Sequence, residues 1–381
     1  MKQFVLFFLV LITVSCNQSD RKSTTGVGDN WPVFRGDAGL SGYANMKLPD
    51  KLQLLWTYKS DSRTSSSPVI SNHTVYWSDK RGKIRGIDFQ GAKVFEYDFA
   101  TAVEASPMLS DSMLYIGRID GFMSALSLSQ KDTVWNYETM GQISASPNSG
   151  VFSGKEAVVF GSYDNYLYCL DKTSGKLIDC FESGYYINGA VAVTGKYFVS
   201  GGCDAWLKVI DGENGVVTDS LLLDAYIPAS AAIEGKECYI ADYSGNVYVF
   251  DIEKGKIVNQ RKIVTVTDSE SSFISVPALS KSTVYILSDD RNLYAIDRKT
   301  GSIRWKYLQK GVSGESSPLV CRDKVISCSR TGIVSVLNAE TGDLLFEFDT
   351  GEQITASPAA SGNRFYILTV KGTLLCFGNT D

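Results

Sequence analysis

The chain has 381 residues, 44% hydrophobic and 21% charged, with 34 Gly against 9 Pro, the make-up of a packed globular protein. Its 37 Lys and Arg against 42 Asp and Glu leave a formal charge of −5 with no basic run, so it lacks the clustered cations that nucleic-acid binding needs. A lone histidine, His73, argues against His-ligated metals and Ser-His-Asp chemistry.

In chain order, Lys2 precedes an apolar run from Phe4 to Val14, then Ser15 and Cys16. A positive start, a short apolar core and a small residue before the cut describe an export signal, too short to span a bilayer permanently. The Ser15-Cys16 junction resembles the bacterial lipobox, which implies diacylation of Cys16 as the new N-terminus. Asn17 to Asn30 is small and polar with no aromatic residue, which predicts a flexible tether. The expected organisation is therefore a signal over 1–15, a tether over 16–30 and one folded unit over 31–381.

That unit repeats. Ser67-Pro68, Ser106-Pro107, Ser146-Pro147, Val276-Pro277, Ser317-Pro318 and Ser357-Pro358 align, with weaker copies around Gly189-Ala190 and Ser230-Ala231. Spacing is mostly 39 to 43 residues, stretched to 46 before Pro277 by an insertion around Val264 to Ser272. Each copy continues with an alternating strand (Val75-Tyr76-Trp77, Val284-Tyr285-Ile286) and a polar turn (Lys80-Arg81-Gly82, Tyr163-Asp164-Asn165). A third strand follows, then a hairpin such as Asp297-Arg298-Lys299-Thr300-Gly301 and a fourth strand carrying Phe95, Trp305 or Phe346. Four short strands per copy without helical periodicity predict an all-β, eight-bladed β-propeller of four-stranded blades. The last copy stops at Cys376-Phe377 after its third strand, while Leu54 to Tyr58 is an orphan fourth strand ahead of the first Ser-Pro. The N-terminal strand is thus expected to complete the last blade and close the ring.

The Asp, Thr and Gly of each hairpin read as architecture: Asp caps the turn, Gly supplies positive φ and the aromatic packs between blades. The run Asp297 to Trp305 resembles the PQQ-like propeller repeat. With the Ser15-Cys16 junction and the opening Trp31-Pro32-Val33-Phe34-Arg35-Gly36, the chain resembles the BamB-like lipoproteins. That resemblance, over Trp31 to the C-terminus, implies an accessory subunit of the outer-membrane β-barrel assembly machinery, lipid-anchored in the envelope and facing the periplasm. It also implies envelope assembly proteins as partners, a monomer within a larger complex and no cofactor. The family docks through a Leu- and Arg-containing inter-blade loop; the nearest segment here, Leu221 to Asp224, has no Arg.

Quinone dehydrogenases share the repeat and, as a family, carry adjacent cysteines, a catalytic Asp and a Ca²⁺ site in a much longer chain. Here no two cysteines are adjacent, so the expectation is no enzyme, no catalytic residue and no metal. The rival is a quinone- or carbohydrate-binding propeller with a site at the channel mouth, where Glu104 and Glu315 share one repeat position. Eight cysteines less Cys16 leave an odd seven; Cys169 with Cys180, or Cys321 with Cys328, are candidates for cross-strand pairing. The loops between second and third strands share one face with the inter-blade connections. There, Asp164, Asp204, Asp242, Asp289 and Asp290 predict an acidic arc, and Arg330, Lys371, Lys80, Arg81 and Arg118 a basic one. Aromatic residues interleave on the acidic side, so Tyr163, Asp164, Asp204, Trp206, Asp242 and Tyr243 are the expected protein-binding residues.

Overall fold

A computed structural model describes residues 30–265 and 272–380. Cys16 and the signal lie outside the described residues. Within them, no helix forms, and none is long and apolar enough to cross a membrane. The strands build eight antiparallel sheets, each with four strands in sequence order apart from the closing one. Numbered from the chain start, the blades' innermost strands are Val69–Ser71, Met108–Ser110, Asn148–Phe152, Ala192–Thr194, Ala232–Glu234, Ala278–Leu279, Leu319–Cys321 and Ala359–Ser361. The two weakest sequence copies, blades 4 and 5, are complete blades.

Blade 8 takes its fourth strand from the other end of the chain. Gln53–Lys59 pairs antiparallel with Thr373–Gly378, setting Trp56 opposite Cys376 and Tyr58 opposite Leu374. The ring therefore closes as the orphan strand predicts, and Thr373–Gly378 is not left as an open edge at the seam.

The hairpin motif has a packing reason across blades. Trp305 of blade 6 lays its indole on Gly342 of the blade 7 hairpin and donates Nε1–H to the Ala339 carbonyl at 3.1 Å. Trp135 does the same to Gly175 and Lys172 of blade 3, and Trp56 to Gly91 and Phe89 of blade 1. Glycine is required twice over: a Cβ on Gly342 would stand 2.7 Å from the indole, and its φ is +77°. Gly342→Ala is expected to cost about 2–4 kcal/mol from left-handed strain plus overpacking. In a domain of this size that lowers Tm by roughly 3–6 °C. Gly351→Ala, also left-handed at +66° but with open space around it, should lose only about half as much by calorimetry.

A second device was not visible in the repeats. The innermost strand of each blade presents its free edge to the channel axis, where its N–H groups would go unpaired. Residues 31–44 run around the inside of the ring and accept them in blade order. Ile70 N donates to Trp31 O, Leu109 to Pro32, Val193 to Ala38, Ile233 to Gly39, Leu279 to Ser41 and Val320 to Gly42, at 2.7–2.9 Å. The blade 3 position is served by Asn148, whose Nδ2 reaches Ala38 O at 2.8 Å. The segment ends as a short parallel strand, Tyr43–Ala44, on the inner edge of blade 7. Trp31, Leu40 and Ala44 on this belt, and Leu48 just after it, are at most 1% exposed. The opening WPVFRG motif therefore lies inside the ring as a plug, bonded to blades 1 and 2 through its backbone and to blades 6 and 7 through Arg35. Gly36 carries the Trp31 ring against its α-carbon, and Arg35 Nη1 donates to Pro318 O at 2.5 Å. Burial pulls the Arg35 guanidinium down to about 9, and Asp37 opposes that shift.

The cysteine expectation is corrected. All seven described cysteines are free. In blade 3, Cys169 lies opposite Asp179 and Cys180 opposite Tyr168, so the two thiols sit on opposite faces of the sheet. In blade 7, Cys321 lies opposite Lys324, four residues from Cys328, which puts the thiols roughly 13 Å apart along the strand.

Candidate functional site: the loop face

Two features meet on the face formed by the turns between second and third strands and the inter-blade connections. In every blade a turn N–H donates to the connection beside it: Lys80 to Arg63 in blade 1, Tyr163 to Gln142 in blade 3, Cys203 to Tyr186 in blade 4, Tyr243 to Tyr226 in blade 5. The side chains at these positions therefore stand side by side around the rim.

The first feature is the channel mouth. The serines of the Ser-Pro copies link blade to blade: Ser67 N donates to Ser106 Oγ, Ser106 to Ser146, Val276 to Ser317, Ser317 to Ser357 and Ser357 back to Ser67, at 2.8–3.1 Å. This is why serine recurs before the first strand, and the last of these bonds ties blade 8 to blade 1. Above the plug, they line a cavity of about 260 Å³ with Phe34 at its floor. Glu104 and Glu315 both line it, as their shared repeat position predicts. Glu104 is already paired with Lys80 at 2.8 Å. The lining holds neither Asp nor Cys, so these residues do not fit the quinone-and-calcium set implied by the dehydrogenase likeness. No group of three metal-binding side chains gathers among the described residues.

The second feature is the aromatic arc. Tyr163 stacks on Tyr186 with centroids 5.0 Å apart, Tyr185 touches Tyr186 at 4.5 Å, and Tyr226 stacks on Tyr243 at 4.4 Å. Tyr185, Trp206 and Tyr243 are 50%, 40% and 44% exposed, and Leu222, opposite Trp206 on the neighbouring strand, is 55% exposed. Burial, then the bond to Tyr243, pushes the Tyr226 phenol up to about 12, so it is neutral at physiological pH. Tyr163 and Tyr243 thus each stack on a tyrosine of the neighbouring connection, while Trp206 stands exposed at the start of its strand. Tyr185, Tyr186 and Tyr226 on the connections are equal members, marked in the sequence only by their bulk in short polar loops.

The carboxylates play a different part. Asp164 Oδ2 accepts Met140 N at 2.9 Å and the Tyr168 hydroxyl at 2.8 Å; Asp204 Oδ2 accepts Gly184 N at 3.0 Å. Each clamps its turn to the preceding connection. Asp242 is not at the surface at all. It stands two positions earlier in its turn, at 0% exposure, and accepts Ser244 N, Asn246 N and the Tyr248 hydroxyl. Its counterpart in blade 1 is Asp79, buried likewise against Arg85. Asp242 is therefore withdrawn as a contact residue. On the basic side, Arg118 is also sequestered, forked onto Asp120 and lying over the Phe99 and Phe122 rings. Lys80, Arg81, Arg330 and Lys371 remain exposed.

The ring count, hairpin motif and closure define an eight-bladed β-propeller of the PQQ-like class. A family model described as outer membrane protein assembly factor BamB matches residues 50–184 and 188–307, and the chain belongs to this family. A curated relative, outer membrane protein assembly factor BamB of Legionella pneumophila (strain Paris), is 25% identical over 136 residues, 36% of this chain. That match spans only 33% of the relative's own length. The crystal structure of BamB from Moraxella catarrhalis superposes with a TM-score of 0.73 at 18% identity, covering 87% of this chain and 98% of that one. The quinohemoprotein alcohol dehydrogenase from Comamonas testosteroni superposes at 0.76 with 15% identity, covering 93% and 81%. At such identities both likenesses establish the fold alone.

Proposed function

We propose that the chain is a non-enzymatic scaffold, anchored through Cys16 in the outer membrane and facing the periplasm. It docks on outer-membrane assembly proteins through the loop face of blades 3 to 5, as a monomeric subunit of a larger complex. The observation that carries this reading is the exposed set Tyr185, Tyr186, Trp206, Tyr226 and Tyr243, with the half-buried Tyr163 stacked on Tyr186. Large aromatic side chains left on a rigid rim beside turn carboxylates are what protein interfaces bury at their centres. Family membership supports the same role. The rival, a ligand-binding propeller with its site at the channel mouth, would use the serine-lined cavity, where Lys80 already occupies one of the two carboxylates.

Purification of the tagged, lipidated protein from detergent-solubilised membranes tests the reading; co-purification of a barrel-assembly protein is expected. Stoichiometric binding of a quinone with a raised Tm, and no protein partner, would favour the rival. Attachment is tested separately. One acyl chain gives marginal membrane binding, so stable anchoring needs the several chains of a lipoprotein cysteine. Cys16→Ala should leave the precursor unprocessed and the mature, membrane-bound form absent; unchanged mass and fractionation would remove the anchor from the account.

A further inference from the structure

Resting on that docking reading, we propose that the aromatic surface of blades 3 to 5 receives a partner segment carrying arginine or lysine side chains. Asp164, Asp204, Asp289 and Asp290 at this rim are held by hydrogen bonds from N–H and O–H groups of the turns and connections. None of the four makes an ion pair among the described residues, and neither does the buried Asp242 behind them. The cations nearby are few: Lys262 is taken by Asp224 at 2.6 Å, Lys208 donates to the Glu182 carbonyl, and Arg291 stands exposed in the blade 6 turn. The exposed Lys80, Arg81, Arg330 and Lys371 lie on blades 7, 8 and 1, across the channel mouth.

The tyrosine faces add the second half of the recognition. A cation over an aromatic face is attracted by the ring quadrupole, and carboxylates behind the ring strengthen the same pull. The molecule already uses this geometry internally, with Lys262 over Tyr248 at 5.3 Å and Lys306 over Tyr294 at 4.8 Å. On the rim, the stacked pairs Tyr163–Tyr186 and Tyr226–Tyr243 keep partly exposed rings with no cation over them among the described residues. An acidic segment would meet like charge here. The asymmetry of the mouth also orients the partner, because the exposed turn cations Lys80, Arg81, Arg330 and Lys371 all stand on the opposite half of the rim.

The test uses three fluorescein-labelled peptides alternating Val with Arg, with citrulline or with Glu, titrated onto the full mature chain at low and high salt. Citrulline matches arginine in shape without its charge. The Arg peptide should bind at least tenfold more tightly than the citrulline one and weaken as salt rises, while the Glu peptide should not bind. Tyr226→Leu with Tyr243→Leu should cost the Arg peptide about tenfold, from two cation–π contacts, at an unchanged Tm. Equal binding of Arg and citrulline peptides, or an Arg affinity untouched by the double substitution, would overturn the basic-segment inference. Those results would leave docking itself standing. Docking fails on a different result: undiminished capture of the envelope partner by the Trp206→Ala, Tyr243→Ala protein.

Discussion

A chain truncated through Tyr58 is expected to give no soluble, folded monomer. The cut removes the fourth strand of blade 8, leaving Thr373–Gly378 as an open edge, and it removes the whole belt inside the channel. Trp31, Val33 and Leu40 of the belt, and Met46 and Leu48 just after it, are all at most 6% exposed. At about 2 kcal/mol each, their burial contributes roughly 10 kcal/mol, as much as the whole net stability of an ordinary domain. The inner strands of six blades would also lose an N–H acceptor each. Deleting only residues 17–29 should leave Tm unchanged, because that composition buries nothing. Light scattering and calorimetry on the two truncations separate the outcomes; equal stability would mean the ring holds without its N-terminal lock.

The second large effect belongs to the loop face. Trp206→Ala with Tyr243→Ala should reduce partner affinity by about 100-fold or more, since aromatic anchors at interface centres contribute about 2 kcal/mol or more each. The two losses need not add, because Tyr243 also holds Tyr226 in a stack 4.4 Å apart. Tm should stay within a degree or two, as both side chains are partly exposed and lie outside the blade cores. Asp204→Asn acts differently. It removes the charge and keeps one of the two acceptors that serve Gly184 N and Trp206 N, so it should chiefly slow association and flatten its salt dependence.

Features that recur were legible from the sequence, because repetition averages away local noise. The blade count, the seam at Trp56 and the packing of the hairpin aromatic between blades all follow from residues that must be the same in several copies. The belt was not legible for the opposite reason. It occurs once, and it bonds through backbone carbonyls, so Pro32, Ala38 and Gly39 carry no side-chain mark of their partners. The turn carboxylates show how register decides what a spacing means. Asp164 and Asp204 share a turn position, but Asp242 is offset by two residues, which turns the side chain inward; only the register of the hydrogen bonds reveals the shift. Cysteine spacing failed likewise, since one residue of register decides which face a thiol takes. The aromatic rim stood out because bulky rings in short polar loops have no core to enter.

Site-specific photocrosslinking in living cells tests the central claim most directly. A photoreactive residue placed at Trp206 or at Tyr243 should crosslink to an outer-membrane assembly protein. The same residue at Leu345, 49% exposed on the outer strand of blade 7, should not. Adducts from Leu345 with none from either rim position would contradict docking through the loop face of blades 3 to 5.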